Sequence, residues 1–594
     1  MSELAMHQFL ARNARLYGNQ FGYTFLSSDG QSEKSLPYAQ LARDASRRGG
    51  ALKEAGLRAG ERVAIAVDES AEFVPSFLGA MWAGLVPVPM FPPTDIRRIT
   101  SYLDRSRRLL DRSDTKAVIT SSRFKPLLAG FGVERLLVSS TALATGPECE
   151  PAPAEPDQEA FIQFTSGSTS DPRGVVVTHA NLLANSQCIM GDQLEGRPGD
   201  VSCTWLPLYH DMGLIGFALA SLVPALKVVF VPPTLFVQRP AIWLQTVSKH
   251  RGRISFAPNF GYGLCVKRVT DEQLEGVDLS SWKFAGCGAE PIDRRTLEAF
   301  SSRFSSWGFD PSAMVPCYGL AESTLAVSFS LGGVRSERLS ASEFVSETRA
   351  EPTDHPDQFF EFVCCGPAFR GHEIRVVDDN GEVLSDRDIG NVEIRGPSVT
   401  KGYVSDPEHT RKLFDDGWLR TGDLGYLVDG ELYVTGRLKD LIVVAGRNYY
   451  PKDIEEATYP LDGIRRGRVV AFSVQGVDGL EHAVVCAETE RADNDLATDD
   501  LSFQIRKAVN EAIGLTVEDV VLVDRGALPR TSSGKLQRRQ ARDIYLADRF
   551  NGSNKDSLTK IVKTLSVAQW EVLRARLLRR RRADSRPQAA QDPS

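Results

Sequence analysis

Between residues 38 and 120 the chain alternates helix-patterned and strand-patterned stretches, and this limits the folds open to it. Tyr38 to Ala55 has helical spacing and closes at Gly56; Arg62 to Val67 is a short apolar strand. Ala71 to Ala83 is helical again, and Val86 to Pro89 is a proline-broken extended run. A helix is predicted through Arg97 to Leu110 and a strand from Ala117 to Thr120. Helices recurring between short apolar strands imply crossovers, so the expected class is α/β with mainly parallel pairing. At 594 residues the chain is too long for one core, so two or more domains are expected.

Composition removes several classes. Hydrophobic residues at 42% and charged residues at 25% are those of a soluble globular protein. A net charge of −7 argues against bulk nucleic-acid binding. The nine cysteines show no C-x-x-C pair, and no long apolar run follows Glu3, so reduced thiols and a cytoplasmic location are expected. Cys364 and Cys365 are expected to be half-buried, without a metal role. The eight histidines lack H-E-x-x-H spacing, which argues against zinc. Leu214 to Val231 is the most membrane-like run, but Pro224 and Lys227 interrupt it; it reads as a buried helix, a turn and a strand, with no transmembrane segment.

The segment from Phe161 to His179 carries the first chemistry. Phe161 to Phe164 and Val175 to Val177 read as strands around a Gly/Ser/Thr loop, with Arg173 beside it. Small side chains and free backbone N–H groups can wrap a phosphate. No Gly-Lys-Ser/Thr follows and the loop leads into a strand, so it is not a Walker loop. An ordinary polar hairpin turn stays open on these residues alone.

Residues 145–157 are Pro- and acid-rich and read as an exposed connector. After the loop, Tyr209-His210-Asp211 forms a polar island between apolar flanks broken by Pro207 and Gly213. Such an island suits a cleft wall, and a capped turn with a solvated histidine is the other reading. Ile254 to Phe260 and Phe284 to Pro291 are strands running into small-residue turns, the places where open α/β sheets bind ligands. Cys317 to Ser323 sets Tyr318 four residues before Glu322. Residues 333–361 are polar and read as an insertion or long surface loop. Phe362 to Val434 reads as strands with turns; from 440 to 545 a smaller α/β unit follows, ending in a Ser/Gly loop with Lys535. Beyond 546 come a short amphipathic helix (567–578) and an arginine-rich tail.

Together these motifs resemble the adenylate-forming superfamily of acyl-CoA synthetases, peptide-synthetase adenylation domains and luciferases, over about residues 10–545. SGSTSDPRG at 166–174, WLPLYHDMGLIG at 205–216, GRLKDLIVVAGRNYYPKDIE at 436–455 and the insertion look most like the fatty acyl-AMP ligase branch. The resemblance implies a large N-terminal multi-sheet α/β domain with a β-rich subdomain (1–437) and a small mobile C-terminal α+β domain (438–548), followed by the tail at 549–594. It implies ATP as substrate with Mg2+, a medium- or long-chain fatty acid, and transfer of the acyl group to the phosphopantetheine thiol of a holo acyl carrier protein. A long-chain acyl-CoA synthetase using free coenzyme A is the alternative.

Residue by residue, the resemblance assigns Thr165, Ser166, Gly167, Ser168 and Thr169 to the β- and γ-phosphates, with Arg173 where lysine is usual. Glu322 would coordinate Mg2+. Adenine would stack on Tyr318, beside Gly319, against the backbone of Gly288, Ala289, Glu290 and Pro291. Asp423 would bind the ribose hydroxyls, Arg437 the ribose or α-phosphate, and Lys535 the carboxylate and α-phosphate. His210 joins Lys535, Arg437 and Glu322 in the catalytic set, and the hinge falls at Lys439. Asn448 and Tyr449 would lie on the face exchanged as the C-terminal domain swings. Relatives that activate amino acids place an acid near 254–260; its absence here disfavours an ammonium. Met212, Phe256 and Phe260 are the expected acyl pocket. With Glu322, Asp423, Arg437 and Lys535 all present, a degenerate scaffold is the weaker reading.

Overall fold

In the computed structural model, residues 5–547 and 550 are described, apart from 94–98, 131–135, 166–171, 341–342, 345–347, 356–358, 445–446, 476–480, 490–494 and 531–535. The alternating stretch forms an all-parallel sheet in the order Val86–Pro89, Arg62–Ala66, Ala117–Thr120, Leu136–Ser139. Helices Tyr38–Glu54 and Ser70–Trp82 pack against each other beside it. Every residue of Ala117–Thr120 is buried, the unbroken apolar run of a parallel strand covered on both faces.

The largest sheet has eight strands and positions the cleft. Its parallel centre runs Met314–Gly319, Phe284–Cys287, Ile254–Ala257, Val201–Thr204, Lys227–Phe230, Gly22–Leu26. Antiparallel strands Ala326–Phe329 and Glu33–Pro37 close the two edges. The carboxyl ends of the first three strands lead into Leu320–Ser323, Gly288–Pro291 and Pro258–Phe260, and a crevice outside such ends is where open sheets place ligands. Leu214 to Val231, read as helix, turn and strand, is a π-helical stretch Leu214–Leu219, a 3-10 turn and the buried strand Lys227–Phe230. No helix among the described residues is long and apolar enough to cross a membrane.

A second, antiparallel sheet of seven strands contains Trp418–Val428 and Glu431–Arg437, paired so that Asp423 faces Arg437. The polar stretch expected as an insertion or surface loop is in part a strand of this sheet: Ser336–Ser340 pairs with Phe359–Pro367. Phe344, in the same stretch, is buried, and its ring packs 5.4 Å from that of Tyr450. Buried Leu339, Phe344 and Phe360 seat this otherwise polar stretch. Cys364 and Cys365 are corrected from half-buried to buried, at 0% and 5% exposure, because both faces of their strand are covered.

The C-terminal unit has strands Ile464–Gln475, Glu481–Thr489 and Val517–Val523, the first pair antiparallel and the second parallel. Helix Asp495–Ile513 packs on this sheet over a separate apolar cluster that includes Ile442, Ile454 and Ile505. Tyr449 belongs to that cluster at 6% exposure, so it is a core residue and not part of an exchanged face; Asn448's side chain lies outside what is described. The predicted helix at 567–578 and the tail lie outside the described residues.

Candidate nucleotide and acyl site

A cleft of about 2700 Å3 opens between the carboxyl ends of the large sheet, the seven-stranded sheet and the C-terminal unit. Its best-defined feature is a triangle of polar side chains drawn from two sheets. The Tyr318 hydroxyl donates to Asp423 Oδ2 at 2.7 Å, and Arg437 Nε donates to Asp423 Oδ1 at 3.0 Å. The Asp423 N–H donates to Thr421 Oγ1 at 3.0 Å, which fixes the backbone under the carboxylate. Burial, then the Asp423 charge, pushes the Tyr318 phenol well above its ordinary range, so it remains a donor. Asp423 in turn raises the pKa of the Arg437 guanidinium. Each oxygen of Asp423 accepts one such bond and keeps a lone pair for a further donor such as a ribose hydroxyl.

Gly319 ends the strand that carries Tyr318 because nothing larger fits: a Cβ there would meet Leu325 O at 1.9 Å. The neighbouring loop turns at Ala289, a non-glycine residue at φ 67°, and Glu290 Oε1 accepts the Phe260 N–H at 2.7 Å. Gly288 is buried; Ala289, Glu290 and Pro291 line the cleft next to Tyr318, as expected for a backbone wall.

Glu322 forms a second polar group. Its Oε1 accepts the Tyr403 hydroxyl at 2.7 Å, and the Arg173 guanidinium lies 5.5 Å from the Tyr403 ring centre. Burial, then Glu322, raises the pKa of Tyr403 and keeps it protonated. Two residues on, the fully buried Thr324 sits at φ 66°, costly for a β-branched residue and held by its hydroxyl bond to Ser398 O at 2.7 Å. That turn aims Glu322 into the cleft. Thr165 N–H donates to Arg173 O at 2.9 Å and closes the hairpin base; Ser166, Gly167, Ser168 and Thr169 lie outside the described residues. His210 lines the same cleft, its ring 5.1 Å from Tyr209, and Gln163 Nε2 donates to Tyr209 O at 3.2 Å.

Mg2+ needs oxygen ligands and keeps several waters, so one carboxylate beside a bound triphosphate suffices to hold it. Glu322 fits that requirement, hydrogen-bonded and facing the cleft. Among the described residues no group of three or more His, Cys, Asp or Glu side chains could hold a metal on its own.

Behind Tyr318 and Ala289 the cleft opens into an apolar pocket of about 60 Å3. Met212 and Phe256 line it. Phe260 does not. It stands on helix Asn259–Arg268 at 37% exposure, packed edge-on against Trp205 on the outer cleft wall, because the helix turns it away from the sheet. The side chains missed from sequence include Met190, Phe217 and Phe329, which come from elements far apart in the chain. Tyr403 and Thr421 were also missed; Thr421 lies two residues before Asp423 on the same strand.

Lys535 lies outside the described residues, but Arg530 and Leu536 on either side of its segment pair as an antiparallel bridge. Three residues later, Arg538 makes a bidentate pair with Glu455 at 2.9 and 2.8 Å and lies 3.7 Å from Asp440. Lys439 falls in the turn Leu438–Asp440, between Arg437 and that ion pair.

The profile of the AMP-binding enzyme family matches residues 11–404. A Caulobacter vibrioides protein provisionally named an acyl-CoA synthetase is 37% identical over 544 residues, covering 89% of this chain and 93% of its own. The medium-chain fatty acid–[acyl-carrier-protein] ligase JamA of Moorena producens is 33% identical, covering 88% and 92%. A solved structure from work on fatty acyl-adenylate ligases of E. coli and L. pneumophila superposes with a TM-score of 0.85 at 35% identity, covering 92% of this chain and 98% of its own.

Proposed function

The chain belongs to the AMP-binding enzyme family, and from that premise we propose that it is a fatty acyl-AMP ligase charging an acyl carrier protein. The observation that carries the reading is the Tyr318–Asp423–Arg437 triangle set at the mouth of an apolar pocket in one cleft. A nucleotide and a hydrocarbon chain would there meet at a single point.

In the first step a carboxylate oxygen attacks the α-phosphorus of ATP. The new P–O bond forms as the bond to the β-phosphate oxygen breaks, and pyrophosphate leaves with the electron pair. Both reactants are anions, so the protein's work is positioning and charge neutralisation. Asp423 holds the ribose, Tyr318 offers its face to adenine, and Arg437 stands beside the α-phosphate. Thr165 and Arg173 border the β- and γ-phosphates, where a guanidinium binds as a two-pronged donor. Glu322 would hold Mg2+ bound with ATP, which would add to the neutralisation of the phosphates. Lys535 is assigned to the charge developing between carboxylate and phosphate. In the second step the acceptor thiolate attacks the acyl carbonyl and AMP leaves; a swing of the C-terminal unit about Lys439 makes room for it.

Two findings support a carrier protein over free coenzyme A. JamA is named for a carrier-protein acceptor. The insertion also packs Phe344 against Tyr450 and shares a cluster with Leu441 and Ile513, a contact that restrains the C-terminal unit. The Caulobacter relative's name favours the coenzyme A alternative. Incubation with ATP, a fatty acid and either holo carrier protein or coenzyme A separates them. Thioester on the carrier protein alone is expected; rapid acyl-CoA formation would sink the proposal. Lys535→Ala should slow acid-dependent pyrophosphate release by about 100-fold or more, the effect of removing one preorganised charge from a reacting phosphate.

A further inference from the structure

Resting on that reading, we infer that the pocket behind Tyr318 is a closed ruler that admits an unsubstituted acyl chain of medium length at most, with Met190 and Phe217 as the residues that set its end. Cleft and pocket share Asp211, Met212, Ala289, Cys317, Tyr318 and Gly319, which defines the mouth. The residues found only in the pocket form its depth, and Met190, Phe217, Ile254 and Phe329 are each between 0% and 3% exposed. They belong to the main core cluster, so the far end is sealed by core packing and does not lead back to solvent.

The volume decides the length. About 60 Å3 holds only a few water-sized groups, since each needs roughly 10–15 Å3 by this measure. A long chain would need the core to move. The chemistry of the lining decides the substituents. Every pocket-only side chain is aliphatic, aromatic or a thioether, and Gly216 contributes none. A hydroxyl or phenol at the chain end would lose its hydration and find no side-chain partner.

The way the end is built is specific to this fold. Met190 lies on the π-helical stretch Cys188–Gln193 and Phe217 on the π-helical stretch Leu214–Leu219. Wider π turns are uncommon and recur at functional sites; here both contribute to one pocket wall. Opposite them the Phe256 ring lies on Gly286, where a Cβ would meet ring atoms at 2.0–2.2 Å, and its edge meets Phe217 at a centroid distance of 6.3 Å. Phe329 continues that wall, 5.5 Å from Phe256. Gly216 faces Leu325, whose Cδ2 would lie 3.3 Å from an added methyl, a tight contact, so a side chain there narrows the pocket once Leu325 gives by a few tenths of an ångström.

The test is a chain-length profile: pyrophosphate release with saturated acids from hexanoic to stearic, plus an ω-(4-hydroxyphenyl)alkanoic acid of matching length. The wild type should peak among the medium chains, fall steeply beyond, and discriminate against the phenol by about tenfold or more. Phe217→Ala and Met190→Ala should move the peak to longer chains, and Gly216→Ala to shorter ones. Opposite shifts from opposite changes in volume are not produced by loss of folding. A wild-type peak at stearic acid, equal use of the phenol, or a peak unmoved in all three variants would overturn the ruler. If no acid of any length supports pyrophosphate release, the acyl-adenylate reading itself falls; if acids are used but length is not sensed, only the ruler does.

Discussion

The polar and apolar ends of the cleft are built by opposite rules. At the nucleotide end each side chain has a named partner: Tyr318 and Arg437 on Asp423, Tyr403 on Glu322, Arg173 over Tyr403. Position there is enforced by directional, charge-assisted bonds, so single atoms matter. At the acyl end nothing is directional. Phe217, Phe256 and Phe329 are held by filling space, so volume matters and identity less. A ligand that must be oriented is met by the first kind of wall, and one that must only be measured by the second.

That contrast can be broken or sharpened by substitution. Asp423→Ala should have the largest effect, lowering kcat/KM for ATP in pyrophosphate release by about 100-fold, because Arg437 and Tyr318 lose their common acceptor in a buried site. The chain-length profile of the residual activity should be unchanged; a shift in it would show that the two ends are not independent. Tyr403→Phe removes one bond to a charged acceptor and should cost about tenfold, read as a higher magnesium requirement. An unaltered magnesium dependence would detach Tyr403 from the role given to Glu322.

A smaller effect tests the converse, a carboxylate outside the cleft with one buried, unbonded oxygen. Asp453 lies in the first turn of helix Pro451–Ala457, and its Oδ2 has no hydrogen-bond partner among the described residues. Burial, then the neighbouring Glu456, pushes its pKa up to about 8. The folded protein therefore binds this proton more tightly than the unfolded chain does, and the carboxyl costs stability increasingly as pH rises from about 4 towards 8. Asp453→Asn should raise Tm by a few degrees, about 2–4 °C per kcal/mol recovered, at pH 8 and not at pH 4. A gain equal at both pH values would mean that the charge is not the cause. His179 titrates in the other sense. Burial, then His7 at 6.0 Å between ring centres, lowers its pKa to about 4. The stability it contributes is whole above about pH 6.5 and lost towards pH 4, so His179→Gln should flatten acid unfolding over that window.

The same contrast explains what could be read in advance. The residues proposed for the nucleotide end were legible as candidates because they come in short runs whose spacing such chemistry demands. Glu322 follows Tyr318 by four residues, just past the end of its strand, and Asp423 and Arg437 sit on strands joined by a tight turn at Asp429-Gly430. Met212 was legible for the same reason, lying within a motif. Phe260 lines the outer cleft and not the small pocket because hydrophobicity in sequence does not say which way a helix faces. The insertion was underestimated because its composition is polar while a few of its residues, Leu339, Phe344 and Phe360 among them, do the packing.

By itself the sequence determined the α/β class, the order of the parts and the identity of the charged residues, because periodicity and motif spacing are local properties. Only the tertiary structure decided the depth of the acyl pocket. Met190, Phe217, Phe256 and Phe329 stand on separate elements and become neighbours only when the large sheet forms beneath its helices. The volume left between them is a small difference between large packed volumes, and no local pattern encodes a difference of that kind.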